Sequence, residues 1–169
     1  MKIELLPLDQ IDPYQLANHA NDFNVSLYLT NSFPYPYTLE NAQSFINFSL
    51  SNHQLDLGIV VDDICVGCIG VVFKKDIYTY NCELGYWLSS HYWNKGIMSR
   101  VLPYMCEYIF ENYNIHKICA QVFVENTASS HLLEKCHFKK EGYLHEHVYK
   151  NGKYHDIILY GLLGGYDND

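Results

Sequence analysis

The sequence predicts an α+β domain with about seven strands and several helices. Seven short segments are rich in β-branched and aromatic residues that alternate with polar ones or run continuously, which is the pattern of strands. Other segments repeat apolar residues near every 3.6 positions, as a helix does when one face packs on a sheet. Two short turn sequences, Asp62-Asp63 and Asn151-Gly152, predict antiparallel hairpins.

The predicted elements follow one another in a fixed order. Strands are predicted over Ile3–Leu8, Leu57–Val61, Ile64–Phe73, Tyr78–Leu88, Lys117–Val124, Phe138–Lys150 and Lys153–Leu163. Helices are predicted from Pro13, over Phe23–Leu29, from Thr38 to Leu50, over Gly96–Tyr113 and from Asn126 to Cys136. Within the third strand, Gly67 and Gly70 predict a bulge or a close backbone approach.

Capping residues mark several helix starts. Asp12 stands before Pro13, and Thr38 and Asn126 stand before segments of helical period, so each is predicted to cap a helix. The predicted buried face of the Thr38 helix is Leu39, Ala42, Phe45, Ile46 and Leu50. That of the Asn126 helix is Ala128, Leu132 and Leu133. Pro103 predicts a kink or a short break in its helix, because proline in a helix interior costs about 3 kcal/mol.

Length and charge limit the class of protein. At 169 residues the chain can bury a sizeable core without a disulfide or a metal, and we assign residues 1–163 to one domain and 164–169 to a flexible tail. The formal net charge is −8 and the Lys and Arg residues are thinly spread, so we expect no nucleic-acid partner. An acidic chain suits a cationic substrate such as a free amine, although ordinary solubility gives the same balance.

Cysteine usage indicates a reducing compartment. The six cysteines lie mostly in apolar segments, where free cysteine behaves as a small core residue. Cys65 and Cys68 form a C-x-x-C pattern, but we expect them on opposite faces of a strand, and no second pair completes a zinc set. Neither a secretory signal nor an apolar run of about 18 residues is present. We therefore expect a cytoplasmic protein without a membrane partner.

The loop Asn31–Tyr37 contains two prolines and several aromatic residues. Proline holds such a loop in one shape. The loop either covers the core or forms the wall of a substrate pocket. In the second case Phe33, Tyr35 and Tyr37 are candidates for contact with a substrate.

The stretch from Glu83 to Arg100 predicts a strand, a tight loop and the first turn of a helix. Such a loop presents unpaired backbone N–H groups and the positive end of the helix dipole beside Gly96. Glycine allows the backbone to approach a ligand closely, and Lys95 adds a positive charge. We therefore expect a phosphate-binding site here.

The Asn151-Gly152 turn sets the register of the last two strands. A two-residue turn pairs Tyr149 with Tyr154. The same register pairs His147 with Asp156 on one face of the hairpin, close enough to interact.

Four motifs stand in a characteristic order along the chain. They are Glu83-Leu84-Gly85-Tyr86-Trp87-Leu88, Trp93-Asn94-Lys95-Gly96-Ile97-Met98, Asn126-Thr127-Ala128-Ser129 followed by Glu134-Lys135-Cys136-His137-Phe138, and Tyr149-Lys150-Asn151-Gly152-Lys153-Tyr154-His155-Asp156. Together they resemble the GNAT superfamily of acetyl-CoA-dependent N-acetyltransferases, in particular its branch of ribosomal-protein N-terminal acetyltransferases (RimJ/RimL-like). Trp93, Met98 and His137 depart from the residues usual in that family.

The resemblance implies a mixed, mostly antiparallel sheet that is flanked by helices and splayed between Tyr78–Leu88 and Lys117–Val124, with acetyl-CoA in the gap. It places these residues at the cofactor: Trp87, Leu88, Trp93, Asn94, Lys95, Gly96, Ile97, Met98, Ser99, Asn126 and Ser129. A side chain at Met98 is expected to crowd the pyrophosphate. His137, in place of glycine, is expected to change how the chain leaves its helix.

Acetyl transfer to an amine needs a base, an oxyanion donor and a proton for the thiolate. Glu83 is the candidate base, and the alternative role is only to fix a neighbouring donor in the sheet. A backbone N–H near Leu88 is the candidate oxyanion donor, and Ser129 is the candidate group that orients or protonates the thiolate. His147, oriented by Asp156, is the alternative base. The candidate substrate contacts are Phe33, Tyr35, Tyr37, Glu83 and Tyr149.

We expect an enzyme that transfers acetyl from acetyl-CoA to a primary amine, such as a protein N-terminus, without a metal and as a monomer or homodimer. The alternatives are an acetyltransferase of a small-molecule amine (polyamine, amino sugar or antibiotic) and a non-catalytic acetyl-CoA-binding module. His145 and His147 alternate along one strand face, but two histidines without a third ligand do not make a metal site.

Overall fold

The computed structural model describes residues 1–165, which contain seven strands and five helices. The strands are β1 (Ile3–Pro7), β2 (Leu55–Val61), β3 (Ile64–Phe73), β4 (Asn81–Leu88), β5 (Lys117–Phe123), β6 (Lys139–Lys150) and β7 (Lys153–Leu163). The helices are α1 (Pro13–Ala20), α2 (Phe23–Ser26), α3 (Leu39–Ser51), α4 (Met98–Asn112) and α5 (Thr127–Lys135). Short 3-10 turns occupy Leu8–Gln10, Asp76–Tyr78 and Ser90–Tyr92.

The strands form one mixed sheet in the order β1-β2-β3-β4-β5-β7-β6. The pairs β1–β2, β2–β3, β5–β7 and β6–β7 are antiparallel, and β4–β5 is parallel. This confirms the α+β class and the mostly antiparallel sheet. The chain divides into two compact units. The first unit comprises Met1–Val71 and Gly85–Ile97, and the second comprises Val72–Leu84 and the residues from 98 onward.

Capping residues build the helices of the first unit as predicted. The Asp12 carboxylate accepts a hydrogen bond from the backbone N–H of Tyr14 at the start of α1. Thr38 and Asn41 form a reciprocal capping box at the start of α3. The core of this unit is a buried cluster: Leu8, Ile11, Leu16, Ala17, Ala20, Tyr37, Ala42, Val60, Cys65 and Cys68.

The predicted buried face of α3 is wrong at its C-terminal end. Leu50 is exposed, whereas Ser49 is buried. The Ser49 hydroxyl donates to the Asp56 carboxylate at 2.7 Å. A polar contact therefore determines which residue of this turn faces inward, and apolar periodicity carries no information about it.

A β-bulge in the first unit corrects the expectation for the C-x-x-C pair. Ile59 pairs with Gly67 and Val60 with Cys65, which leaves Val66 as an extra residue on β3. The extra residue reverses the alternation, so Cys65 and Cys68 lie in the same core cluster rather than on opposite faces. Both are free, and burial raises the pKa of the Cys65 thiol to about 11. The predicted structural role of these two cysteines agrees with this environment.

The second unit contains a parallel pairing, that of β4 with β5. β4 starts at Asn81, three residues later than predicted, because Asp76–Tyr78 forms a 3-10 turn. β4 pairs with β5 at three positions, ending at Glu83 opposite Cys119. β5 continues to Phe123 and pairs with β7 along its whole length. The early end of the parallel pairing is the splay that the family resemblance implies.

Two helices of the second unit depart from prediction. α4 runs from Met98 to Asn112 through Pro103, so the predicted break is absent, and the alternative of a kink stays a prediction. On α5, Ala128 is exposed and the buried residues are Ser130 and Leu133. Buried residues of α4 are Val101, Leu102, Met105, Cys106 and Ile109.

His137 ends α5 in the way that glycine usually does. Its φ is 68°, and its backbone N–H donates to Glu134 at 3.1 Å. The backbone N–H of Phe138 donates to Leu133 at 3.0 Å. These two bonds are those of a Schellman motif, so the helix ends in the usual way although histidine stands in place of glycine.

The predicted tail lies partly within the described residues. Gly164 and Gly165 form a turn in which the Gly164 N–H donates to the His116 carbonyl at 2.8 Å. The rest of the predicted tail, 166–169, lies outside the described residues. Across residues 1–165, no helix is both long enough and apolar enough to span a membrane.

Candidate active site

In the first unit, the loop that follows β4 is anchored at its beginning. The Ser89 N–H donates to the Val66 carbonyl at 2.8 Å, and the Ser90 N–H donates to the Asp22 carboxylate at 2.9 Å. The other Asp22 oxygen accepts from the Asn24 N–H at 3.0 Å. Burial alone would raise the pKa of Asp22, but its hydrogen bonds, first among them that to Ser90, lower it below the ordinary value.

These anchors bear on the expected oxyanion donor near Leu88. Since the N–H groups of Ser89 and Ser90 are both engaged, neither is available to a developing oxyanion. The Leu88 carbonyl accepts from the Trp93 indole N–H at 2.7 Å, which fixes the expected cofactor residue Trp93 against the end of β4. The backbone of Trp87 and Leu88 remains the candidate.

The tip of the loop turns through two residues with positive φ. Asn94 has a φ of 58° and Gly96 a φ of 72°. Apart from Gly96 and its two chain neighbours, no atom of the described residues lies within 4 Å of the place that a Cβ on Gly96 would occupy. Lys95 is exposed, and its ammonium lies 4.9 Å from the centre of the Tyr92 ring. Tight turns with left-handed residues form concave sites for anions, so this loop fits a phosphate.

The ends of the predicted phosphate motif differ in exposure. Ile97 is buried, so its side chain belongs to the core and only its backbone is available to a ligand. Met98 and Ser99 open α4 in the second unit, where the helix dipole favours an anion.

The aromatic loop of the first unit divides into a core part and a surface part. Tyr37 is 7% exposed and belongs to the core cluster, where burial raises its pKa to about 12. Its N–H donates to the Asn21 side chain at 2.9 Å. Phe33 packs between Tyr37 and Trp87, with ring centres 4.8 and 5.4 Å away. The loop therefore does cover the core, as one of the two predictions stated.

Only the tip of this aromatic loop is presented to solvent. Tyr35 is 53% exposed and lies edge-on to Phe23, with ring centres 5.4 Å apart. The peptide bond between Tyr35 and Pro36 is cis. Of the three predicted substrate contacts in this loop, Tyr35 is the one whose ring a solute reaches most readily.

In the second unit, the candidate base Glu83 is paired with a lysine. Lys74 Nζ lies 2.6 Å from Glu83 Oε2. Both side chains are accessible, at 39% and 33% exposure. Sequence reasoning missed Lys74. The register of the β3–β4 turn would have revealed it, because the Lys74 N–H donates to the Asn81 carbonyl at 3.0 Å and Glu83 lies two residues beyond Asn81.

A second ion pair lies in the same unit. Lys117 Nζ is 2.6 Å from Glu141 Oε2, and this bond raises the pKa of Lys117. Cys119 is half-buried, and burial raises the pKa of its thiol. A thiol whose pKa is raised is a poor nucleophile, so Cys119 is not a candidate for covalent catalysis.

Asn126 and Ser129 stand at the start of α5, as predicted. The Asn126 side-chain oxygen accepts from the Ser129 N–H at 3.3 Å, which is a helix cap. This engagement uses the Asn126 oxygen and the Ser129 backbone. The Ser129 hydroxyl is the group of this motif that is predicted to orient or protonate the thiolate.

The predicted pair of His147 and Asp156 does not form. The register shifts between Leu144, opposite Ile157, and Val148, opposite His155, so Asp156 faces a bulge. There it accepts from the Tyr143 hydroxyl at 2.5 Å and from the Glu146 N–H at 2.7 Å. The nearest imidazole is that of His145, with Nδ1 3.7 Å from the carboxylate.

The hairpin also contains a buried histidine that sequence reasoning missed. His155 is buried; its Nδ1 lies 3.0 Å from a Glu125 oxygen and its Nε2 lies 3.1 Å from the Lys150 carbonyl. Both ring nitrogens are engaged, so this group stabilises the hairpin. Tyr149, a predicted substrate contact, pairs with Tyr154 across the strands, and its ring is exposed.

Comparisons with known proteins agree with this arrangement. A family model described as acetyltransferase (GNAT) domain matches residues 2–139. The chain is 29% identical over 171 residues to spermidine N(1)-acetyltransferase of Vibrio cholerae, covering 99% of this chain and 96% of that enzyme. It is 32% identical over 81 residues to the [ribosomal protein uS5]-alanine N-acetyltransferase of Escherichia coli, covering 48% of this chain and 42% of that enzyme.

Solved structures share the fold over nearly the whole chain. RimL, the ribosomal L7/L12 alpha-N-protein acetyltransferase, solved in complex with coenzyme A, superposes with a TM-score of 0.84 at 21% identity. The superposition covers 96% of this chain and 94% of that chain. The predicted family, fold and enzyme class are confirmed: the chain belongs to the GNAT family of N-acetyltransferases.

Proposed function

We propose that this enzyme transfers acetyl from acetyl-CoA to a primary amine by direct attack, with Glu83 as the general base. The observation that carries the proposal is the contact of 2.6 Å between Lys74 Nζ and Glu83 Oε2. A carboxylate that already holds one alkylammonium is suited to hold the ammonium of an acceptor in the same way. Since Glu83 is partly exposed, a solute can reach it.

The loop after β4 and the first turn of α4 are proposed to bind the pyrophosphate of the cosubstrate. The conformation and open surroundings of Gly96 support this role, because a phosphate needs to reach backbone N–H groups. Lys95 supplies a positive charge. The backbone of Ile97, Met98 and Ser99 would contribute to this binding. The Met98 side chain, which was expected to crowd the pyrophosphate, would then take no part in the contact.

The remaining cofactor residues are assigned narrower roles. The backbone of Trp87 and Leu88 is proposed to donate to the oxyanion, and Trp93 and Asn94 to shape the loop. Asn126 holds the first turn of α5, and the Ser129 hydroxyl is proposed to orient the departing thiolate.

The proposed chemistry requires few groups of the protein. Glu83 takes one proton from the acceptor ammonium, and the neutral nitrogen then attacks the thioester carbonyl. The nitrogen's second proton passes to the departing thiolate. Holding the two reactants together contributes about 7–11 kcal/mol, so a residual rate is expected even without the base.

A polyamine is the acceptor that we propose first. The alignment with the spermidine acetyltransferase covers 99% of this chain, whereas that with the uS5 enzyme covers 48%. The net charge of −8 favours a cationic acceptor, and the exposed ring of Tyr35 offers a surface for it. A protein N-terminal amine is the second candidate, favoured by the alignment with the uS5 enzyme.

Binding and thiol release together test this function. Isothermal titration with acetyl-CoA measures cosubstrate affinity, and thiol release is then followed with spermidine, spermine, an amino sugar and a peptide with a free N-terminal alanine. We expect binding, with the fastest release for a polyamine. Release for the peptide alone would favour the N-terminal reading. Binding without release for any amine would favour the non-catalytic alternative.

The base assignment is tested by comparing two glutamates in matched ion pairs. Glu83→Gln is expected to lower kcat by on the order of 10²–10⁴ and to leave acetyl-CoA affinity unchanged, because only proton transfer is lost. Glu141→Gln removes the equivalent carboxylate from the second pair, 2.6 Å from Lys117, and is expected to leave kcat unchanged. Near-normal turnover of Glu83→Gln would assign the proton to water.

A further inference from the structure

We infer that Lys74 is itself an acetyl acceptor, modified by the transferase site of its own chain. This inference rests on the proposed role of Glu83 as the base. Lys74 Nζ lies 2.6 Å from Glu83 Oε2. An acceptor amine must bring its ammonium to this carboxylate before it can react, and the Lys74 side chain already does so.

The backbone holds Lys74 at this position. Its N–H donates to the Asn81 carbonyl at 3.0 Å, which sets Lys74 opposite Asn81 across the turn between β3 and β4. Glu83 lies two residues further along β4, on the same face as Asn81. A lysine side chain spans such a diagonal, so the pair follows from the register rather than from a chance surface contact.

Neither partner is locked in the core. The side chain of Lys74 is 39% exposed and that of Glu83 is 33% exposed. Contacts between accessible ions are weak, because water solvates both partners. The Lys74 amine can therefore give up its proton, leave the carboxylate by rotation of its four-carbon stem, and react.

The reaction balances with acetyl-CoA as the only co-reactant. The Lys74 ammonium gives one proton to Glu83, and the neutral nitrogen attacks the thioester carbonyl. A C–N bond forms, the C–S bond breaks, and the second proton of the nitrogen passes to the thiolate. The products are Nε-acetyl-Lys74 and CoA thiol, and Glu83 releases its proton to solvent.

The modification would also change the site. An acetylated lysine has no charge and cannot form an ion pair. Acetyl-Lys74 would leave the Glu83 carboxylate available to a diffusible amine. In the unacetylated chain, Lys74 would compete with the diffusible amine for the Glu83 carboxylate. In the acetylated chain it would not.

The pair Lys117–Glu141 provides a matched control, because its Nζ–Oε2 distance is also 2.6 Å and its lysine is also accessible. The full chain is incubated with isotope-labelled acetyl-CoA and no amine, and label at each lysine is measured by peptide mass spectrometry. We expect Lys74 to be labelled on the order of 10²-fold faster than Lys117, at a first-order rate independent of protein concentration. Glu83→Gln should remove this difference, and Glu141→Gln should not.

Several outcomes would overturn the inference. Equal labelling of Lys74 and Lys117, or labelling of Lys74 that is unchanged in Glu83→Gln, would show only chemical acetylation. A rate that rises with protein concentration would show transfer between copies. Thiol release to a diffusible amine, measured on the same preparation, separates the two proposals: release without label at Lys74 refutes this inference alone, and absence of both refutes the proposed function as well. Lys74→Arg, which keeps the charge, identifies the labelled peptide.

Discussion

Two segments of the chain leave regular structure through residues with positive φ, and they differ in what surrounds them. The loop after β4 turns at Asn94 and Gly96, with φ of 58° and 72°, and the bulge of β6 turns at Glu146, with φ of 45°. In the bulge, the Asp156 carboxylate accepts from the Glu146 N–H and the Tyr143 hydroxyl. At Gly96 no atom of the described residues beyond its chain neighbours lies within 4 Å of a Cβ position.

This difference distinguishes a backbone irregularity whose polar groups are bonded within the protein from one that is open to a ligand. Backbone polar groups need partners, and in the bulge a side chain of the same hairpin provides them. The loop tip instead presents exposed residues and open surroundings, which suits a ligand that brings its own acceptors. The same comparison explains why His147 does not pair with Asp156. The bulge that supplies hydrogen-bond donors to Asp156 also shifts the strand register, so that Asp156 no longer lies opposite His147.

Among the changes that test this comparison, the largest effect is expected from adding a side chain to the loop. Gly96→Val forces a β-branched residue into positive φ and fills the open space, and strain of this kind costs about 1–3 kcal/mol. We expect acetyl-CoA affinity to fall on the order of 10- to 10²-fold, measured by isothermal titration.

Gly152→Val is the matched control for that substitution. Gly152 has a φ of 81° and also has no atom of the described residues beyond its chain neighbours within 4 Å of its Cβ position, but it lies in the β6–β7 turn. It should lower the free energy of unfolding without changing acetyl-CoA affinity. If both variants bind acetyl-CoA normally, the loop is not the pyrophosphate site.

A smaller effect is expected from releasing the anchor of the loop. Asp22→Ala removes the cap of α2 and frees the Ser90 N–H, so the free energy of unfolding should fall by about 1–2 kcal/mol. If ordering the freed loop costs about 1 kcal/mol on binding, acetyl-CoA affinity falls about fivefold. Titration calorimetry and urea denaturation measure the two quantities.

Asp12→Ala tests whether that loss of affinity comes from the loop. Asp12 caps α1 through the same kind of bond, to the Tyr14 N–H at 2.9 Å. The two variants should lose similar stability, and only Asp22→Ala should lose affinity. Equal affinities would mean that Ser90 holds its position without Asp22.

The sequence was sufficient where local chemistry decides the structure. Asp12, Thr38 and Asn126 cap their helices as predicted, because a cap depends on neighbouring residues alone. Gly67 was predicted to mark a bulge or a close approach and does both: the bulge lies beside it, and a Cβ there would meet the Trp87 carbonyl. The family and its fold followed from the spacing of such local motifs.

Prediction failed where distant residues decide. Ser49 is buried because Asp56, on another element, accepts a hydrogen bond from its hydroxyl. Lys74 reaches Glu83 through the register of a turn, and Asp156 misses His147 through a bulge. None of these contacts follows from periodicity, since each depends on pairing between segments that are separate in sequence. The tight turn of the candidate loop was therefore predicted from the sequence, and these side-chain partners were not; the role of the loop in binding stays a prediction.

His147→Ala is expected to have almost no effect on catalysis. His147 is exposed in the bulge, and Asp156 is engaged by Tyr143 and Glu146, so Asp156 does not orient the His147 imidazole. Near neutral pH, we expect kcat with the best amine to stay within about twofold of the wild-type kcat. A loss of tenfold or more, with normal acetyl-CoA binding, would restore His147 as a catalytic residue.

A small change in acid stability is expected to originate in the bulge. The hydrogen bond from Tyr143 lowers the pKa of Asp156 below its ordinary value. A carboxyl whose pKa is lower folded than unfolded contributes stability above its unfolded pKa of about 3.9 and loses it as pH falls through its folded pKa. The free energy of unfolding measured by urea denaturation should therefore fall less between pH 6 and pH 3 in Asp156→Asn than in the wild-type chain. Tyr143→Phe, which removes the bond but keeps the carboxylate, should reduce the slope in the same direction because the pKa of Asp156 then returns toward its unfolded value. Equal slopes in all three proteins would mean that the bulge is held by backbone contacts and not by this carboxylate. Acetyl-CoA affinity should stay unchanged in both variants, since an irregularity that the protein satisfies internally has no part in binding a ligand.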